Sequence, residues 1–354
     1  LTEPVAAATT PLYVVHDGDP LRDRDTVLSL WSGNLGQQDR IASKYDWFYL
    51  GCPHGPPLLQ LLRHTPSESW VGTACAGRRC MRWHGRDIRA GVLVDLAVVP
   101  EHRSLGPALI LQQGLIEAGS RQLDLLYGFP NPKAAAVFKR IGYTRLTDIV
   151  RHARVLRHGR YLRSRMPGWL AAPAGAVADV VFAAVDAVRR LSSSRMHASW
   201  SERADPRMDA LWSASPQGDG LVGVRDRTHA KWRFDECPLA RTRYLLVSAP
   251  GQDTLQAWFA TQVEGETLHV RDYWSAEGIN GIDSACLLAL LAAARDAGHA
   301  SVSVEIAASE AHVQSWARYG FVPRSRRPVF GRWSAAQDAE AVQDLFLTSA
   351  DEDE

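Results

Sequence analysis

Cysteine is scarce: the 354 residues contain five, at Cys52, Cys75, Cys80, Cys237 and Cys286. They are scattered, odd in number and form no Cys-x-x-Cys pair, which argues against a disulfide framework and against a zinc site. No His/Cys/carboxylate cluster along the chain suggests another metal. An excess of one charge is also missing. The formal net charge is +1, so no global field points to nucleic acid. No secretory leader opens the chain as given, and a cytoplasmic location is the expectation; a first residue Leu1 rather than Met leaves room for residues ahead of it. A long uninterrupted apolar run is lacking as well. The stretch from Met166 to Leu191 is interrupted by Asp179 and Asp186 and shortened by Pro173 and Gly175, whereas a membrane span needs ~20 apolar residues with few charges. It reads as an amphipathic linker helix packed against the domains, with membrane contact as the alternative.

What is present is an ordinary globular composition, 46% apolar and 22% charged, and a length suited to two domains. Two segments read alike. Trp47 and Trp232 each precede a Cys-Pro pair (Cys52-Pro53, Cys237-Pro238) with four residues between, and an apolar strand follows each. Further on, the helix end at Gly119 parallels that at Gly298, and "VFKRIGYTR" around Gly142 parallels "SWARYGFVPR" around Gly320. The paired positions lie about half a chain apart, which indicates a duplicated module rather than a solenoid. Each copy reads as helices, antiparallel strands, then strand, helix, strand, helix and final strands. The expected fold class is α/β (α+β): two domains, each a twisted mixed β-sheet with helices on both faces. The expected boundaries are 1–165, a linker helix over 166–200, 201–345, and a disordered acidic tail over 346–354.

In the first copy the strand "GVLVDLAVV" (Gly91–Val99) is apolar on both faces except at Asp95, as in a strand covered on both sides. After it come Arg103-Ser104-Leu105-Gly106-Pro107-Ala108 and a long apolar helix expected to end at Gly119. A helix N-terminus presents unpaired N–H groups and partial positive charge. Gly106 permits close backbone approach, Ala108 does not block it, and Arg103 adds a cation suited to phosphate oxygens. Such a turn is a cradle for a diphosphate.

The six residues have the Arg/Gln-x-x-Gly-x-Gly/Ala form of the GCN5-related N-acetyltransferases, and the flanking "LAVVP" and "NPKAAAVFKRIGY" sit where that superfamily places its strand and next helix. The first copy resembles the superfamily over most of residues 20–150, and 205–333 resembles it more weakly. The Trp-x-x-x-x-Cys-Pro segment is similar to bacterial members associated with exopolysaccharide systems. The resemblance implies that Arg103, Ser104, Leu105, Gly106 and Ala108 bind the pyrophosphate of acetyl-CoA or another acyl-CoA. It implies that the backbones of Leu96 and Val98 bind the pantetheine arm, and that Asn131 lies near the thioester. There are departures. Pro107 lacks an N–H, although proline suits a first helical turn. Phe138 stands where many members have a tyrosine that protonates the leaving thiolate. The second copy, "YWSAEGINGIDSACLL", has no arginine, carries Glu277 at the cradle and has Trp316 at the tyrosine position, so cofactor binding is expected to be lost there.

Asp95, the lone charge in its strand, is the candidate general base, with a structural carboxylate as the alternative. Tyr127 is the candidate thiolate acid, with strand packing as the alternative. Cys52 and His54 read as loop or acceptor-site lining rather than a nucleophile and base, since direct transfer needs no covalent intermediate. The arginines at 151, 154, 157, 160, 163 and 165 would form a drifting helical stripe. They suit a solvated face, or an anionic acceptor, an acyl carrier protein or a membrane. Trp47, Trp70 and Trp83 are expected in the core. The function these features support is acyl-CoA-dependent transfer to a primary amine of a small molecule or amino sugar, in a protein that also has the option of a homodimer. The alternatives are an aminoacyl-tRNA-dependent transferase and a non-catalytic CoA-binding scaffold.

Overall fold

The computed structural model describes residues 11–159, 168–335 and 344–352. The first half runs β1 (Tyr13–Gly18), α1 (Arg24–Trp31), α2 (Ile41–Tyr45) continuing as a π-helical turn (Asp46–Leu50), β2 (Leu58–His64), β3 (Ser69–Trp83), β4 (Arg86–Val98), a 3-10 turn (Pro100–His102), α3 (Leu105–Gln122), β5 (Leu125–Gly128), α4 (Pro132–Arg140) and β6 (Thr144–Val155). Then comes α5 (Gly168–Leu191). The second half runs β7 (His197–Ser201), α6 (Arg207–Ala214), β8 (Leu221–Gly223), α7 (Arg227–Ala230) continuing as a π-helical turn (Lys231–Asp235), β9 (Arg243–Ser248), β10 (Leu255–Glu264), β11 (Thr267–Ser275), a 3-10 turn (Gly278–Asn280), α8 (Ser284–Asp296), β12 (Ser301–Ala307), α9 (Glu310–Ala317), β13 (Val322–Trp333), β14 (Leu345–Thr348) and a 3-10 turn (Ser349–Asp351). The fold is mixed α+β, as the sequence implies. The two Trp segments that read alike are the two π-helical turns. In each half a strand precedes the first helix, because β1 and β7 find antiparallel partners in β2 and β9.

The chain forms two compact units, neither contiguous: Leu1–Arg79 with Arg89–Arg145 and Phe330–Ala339, and Cys80–Ile88 with Leu146–Val329 and Glu340–Glu354. The boundaries expected at 1–165 and 201–345 therefore do not delimit compact bodies, and strand pairing is the reason. In unit 1 the strand order is β1-β2-β3-β4-β5, and Phe330–Trp333 of β13 pair antiparallel with β5. In unit 2 the order is β6-β12-β11-β10-β9-β7, with β6 antiparallel to β12.

The unit 1 core gathers Leu62, Val71, Leu111, Leu115, Leu126 and Phe138. Helix α3 runs through Gly119 to Gln122 rather than ending at it. A Cβ at Gly119 would stand 2.8 Å from Leu126 Cδ1, so that glycine serves helix-to-strand contact and not a C-cap. The unit 2 core is built on Trp258, Tyr244, Leu287, Leu290 and Trp316.

Two further expectations are corrected. The arginine run is not a helical stripe: Arg151 and Arg154 lie on β6, and Arg154 is buried against Asp186 with Nη2 to Oδ2 at 2.6 Å. Arg160, Arg163 and Arg165 lie outside the described residues. The expected acidic tail is folded through Glu352. Residues 345–348 are buried, β14 pairs with β12 and β8, and Asp351 is buried with Oδ2 2.7 Å from Arg225 Nη2. Arg225 also binds Asp272 at 2.9 Å. A fully buried guanidinium needs carboxylates, and the segment supplies one of the two; Asp353 and Glu354 lie outside the described residues.

Removing one member of a buried ion network leaves the others uncompensated, typically at about 3–5 kcal/mol. Asp351→Ala is expected to lower the stability of unit 2 by that order in urea denaturation.

Candidate active site

Strands β4 and β5 are paired in parallel only over Ala90–Val92 with Leu125–Tyr127. β4 continues to Val98, so beyond Val92 its β5-facing edge has left the ladder, which opens backbone groups to a ligand. Along this stretch Asp95 has φ +52°, a left-handed conformation that costs a non-glycine residue energy and that Asp tolerates better than most. Its side chain is held on both oxygens. Lys44 Nζ donates to Oδ1 at 2.9 Å and the Tyr49 hydroxyl to Oδ2 at 3.1 Å. All three are buried. Tyr49 stacks on Tyr45 at 4.4 Å, and Trp31 meets both rings. Burial and the neighbouring carboxylate push the Tyr49 hydroxyl well above the usual phenol range, so it remains a donor.

Past Val98 the chain turns through Pro100–His102, and α3 begins at Leu105. Leu96, Ala97, Val98, Arg103, Ser104 and Ala108, with Asn34, line a cleft of about 480 Å³. Five of the residues singled out in the sequence thus come together. Gly106 lies within the same turn. A Cβ built on it would meet only Ser104 Oγ, at 4.0 Å, so neither packing nor a positive φ demands glycine there. Leu105 opens α3 with its backbone; its side chain lies outside the described set. Arg103 is fixed by Nε to the Val98 carbonyl at 3.0 Å and by Nη2 to Asn34 Oδ1 at 2.5 Å.

Three expected roles are not matched by position. Asn131 is exposed, and its Oδ1 accepts from the Ala134 N–H at 3.0 Å, so it caps α4 and does not line the cleft. Tyr127 is wholly buried in β5 and does not line the cleft. Asp95 has donors on both oxygens, which fits the structural alternative better than an available base. Cys52 donates from Sγ to the Arg78 carbonyl at 3.6 Å, and burial raises its thiol pKa, which is no environment for a nucleophile. Trp47 and Trp83 are buried, while Trp70 is exposed and meets His16 edge-on.

The sequence reading missed Lys44, Tyr49 and Asn34. The signal for Lys44 was its charge beside the aromatic run Tyr45–Tyr49. Tyr143 packs on Phe138 at 4.9 Å between ring centroids. Its hydroxyl is buried with no hydrogen-bond partner among the described residues, and burial raises its pKa, keeping it protonated.

The corresponding place in unit 2 is filled by the chain itself. β11 and β12 are paired only to Val270 and Val304. Beyond that, β14 pairs with Ile306 and Ala307, and Thr348 Oγ1 donates to Asp272 Oδ1 at 2.8 Å. Tyr273 donates to His312 Nε2 and accepts from Trp316 Nε1 at 2.8 Å. Burial pulls His312 down to about 4, which holds it neutral as the acceptor. Asp283, rather than a ligand, caps α8 by accepting from the Ala285 N–H.

No protein-family model matches the sequence, and no curated protein matches it. Solved structures show the fold. A GCN5-related N-acetyltransferase from Anabaena variabilis aligns over 93% of this chain and 75% of its own, with 10% identity and TM-score 0.63. An Enterococcus faecalis protein described as "Probable N-Acyltransferase" aligns over 92% and 73%, with 9% identity and TM-score 0.64. Saccharomyces cerevisiae N-myristoyltransferase with bound myristoyl-CoA aligns over 94% and 84%, with 9% identity and TM-score 0.52. The fold is that of the GCN5-related N-acetyltransferases.

If Lys44 and Asp95 form one unit, their substitutions are strongly non-additive. Lys44→Met alone is expected to cost about 3 kcal/mol or more. Lys44→Met with Asp95→Asn, which keeps a residue tolerant of φ +52°, should recover at least ~1 kcal/mol of that in a denaturant-monitored cycle.

Proposed function

We propose that unit 1 is an acyl-CoA-dependent N-acyltransferase acting on the primary amine of a small molecule, and that the chain is a tandem duplication whose second copy binds no cofactor. The observation that carries this reading is the cleft where β4 leaves β5 and meets the first turn of α3, with open space in front of Gly106. That space is where a Cβ would intrude on a ligand, so the residues present fit a pyrophosphate. The same fold in an enzyme with bound myristoyl-CoA supports the ligand class. Acetyl-CoA is the expected donor.

The N–H groups opening α3 and the helix dipole receive the pyrophosphate charge. Pro107 withholds one donor, and Arg103 adds a cation oriented by Asn34 and Val98. The free edge of β4 near Leu96 and Val98 offers backbone hydrogen bonds to the pantetheine arm. When bound, an acyl-CoA supplies a thioester carbon open to attack by a neutral amine. Holding the amine beside it lowers the barrier chiefly through proximity. Asp95 is a positioning residue, since with Lys44 and Tyr49 it pins the left-handed backbone immediately before Leu96. As the C–N bond forms and the C–S bond breaks, the proton lost by the attacking amine is available to the leaving thiolate; Tyr143, buried in the core beside Phe138 and absent from the cleft lining, is not placed to supply it.

Calorimetric titration with acetyl-CoA tests the reading. One site per chain is expected, weakened at least ~100-fold (about 2.8 kcal/mol) by Gly106→Trp, whose side chain enters open space and leaves the fold intact. A thiol-release assay across small amines then reads turnover. Two sites would contradict the filled second copy. No binding would overturn the acyl-CoA reading, and binding without turnover on any amine would leave a CoA-binding scaffold.

A further inference from the structure

Helix α5 is amphipathic in the reverse sense. Its acidic residues, Asp179 and Asp186, face the body of unit 2. Asp186 is buried, with Oδ2 2.6 Å from both Arg154 Nη2 and Arg295 Nη2. Asp179 Oδ1 accepts from the backbone N–H of His158 at 2.6 Å and lies 2.7 Å from its Nδ1. The apolar residues face solvent: Val177 is 65% exposed, Val180 68%, Val188 65% and Leu191 87%, with Val181 and Phe182 also exposed. Positions 177, 181, 188 and 191 follow helical spacing and form one stripe. The polar side that would ordinarily meet water is held inward by Arg154, Arg295 and His158, so the orientation is fixed by ion pairs to Asp186 and hydrogen bonds to Asp179. The amphipathic linker helix expected to pack against the domains meets unit 2 through its acidic face.

An apolar stripe of this length on a folded surface marks an interaction site. Its surroundings select the occupant. Arg189, Arg190 and Arg195 are exposed at the C-terminal end of the helix, and Arg318 and Arg324 are exposed across an adjoining groove of about 460 Å³. Arg154 also lines that groove, and its buried Nη1 has no hydrogen-bond partner among the described residues. Among the described residues lining this groove and the neighbouring one at Ser192–Ser194, the carboxylate is Asp283, which is turned into its own helix cap. Apolar residues rimmed by arginines, with the helix's own carboxylates engaged on its inner side, match the boundary between acyl chains and anionic headgroups. No helix among the described residues is long and apolar enough to cross a membrane, so the contact would lie in the interface plane.

We propose that α5 is an interfacial membrane-binding helix, with Val177, Val181, Val188 and Leu191 entering the acyl boundary and Arg318 and Arg324 meeting the headgroups of anionic lipid. The inference stands apart from the acyl-CoA reading.

Co-sedimentation of the full chain with vesicles tests it. Vesicles of phosphatidylglycerol and phosphatidylcholine should pellet the protein, and vesicles of phosphatidylcholine alone should bind it at least ~10-fold more weakly. Val181→Asp with Val188→Asp, both at exposed positions, should reduce partitioning at least ~10-fold while leaving the melting curve and acetyl-CoA titration unchanged. Arg318→Glu with Arg324→Glu should also reduce it, and millimolar inorganic phosphate should not compete. No pelleting at low salt would overturn the proposal. So would pelleting indifferent to the two aspartates, which would place binding elsewhere. A wild-type dimer that the aspartates convert to monomers, with no vesicle binding, would assign the stripe to a second copy instead and equally overturn it.

Discussion

The site depends on one buried ion pair. Lys44 and Asp95 come from distant parts of the chain, and with Tyr49 they hold a carboxylate on left-handed backbone in the middle of an otherwise apolar strand. The conformation and the burial are each unfavourable alone. With two donors on its carboxylate, Asp95 stands three residues past the last β4–β5 pair, within the stretch whose edge is free of β5. The edge beyond Val92 is freed, and the turn into α3 follows within ten residues. The aromatic residues Trp31, Tyr45 and Tyr49 surround the pair and exclude the water that would otherwise weaken it.

The two units use this geometry differently. In unit 1 the freed edge borders an open cleft. In unit 2 the corresponding opening beyond Val270 is covered by β14, and the carboxylate there, Asp272, is neutralised by Arg225 and hydrogen-bonded by Thr348. Groups that suggest chemistry in isolation, Tyr273, His312 and Trp316, complete a buried network whose hydrogen bonds satisfy one another. A carboxylate, a histidine and a tyrosine are therefore weaker evidence for catalysis than the space in front of them.

Much of this was legible in the sequence because it is local. The apolar strand with one Asp, the Arg103–Ala108 turn, the long helix and the Asn-to-Gly helix are contiguous patterns, and Leu96, Val98, Arg103, Ser104 and Ala108 do converge. What was not legible is non-local. Nothing in the spacing ties Lys44 to Asp95, or Asp351 to Arg225, and an acidic C-terminal run reads as solvated until its buried partner is known. Gly119 read as a helix stop because close packing on Leu126 and a C-cap both favour glycine. The reversed face of α5 was hidden for the same reason: periodicity locates two faces of a helix but not which of them finds arginines.

The most direct test of the cleft as the cofactor site is amide hydrogen exchange with and without acetyl-CoA. Slowed exchange confined to residues 93–98 and to the turn at 104–108, with the start of α8 near Ala285 unchanged, is the predicted result. Protection at 276–289, or no protection in either unit at saturating acetyl-CoA, would contradict it.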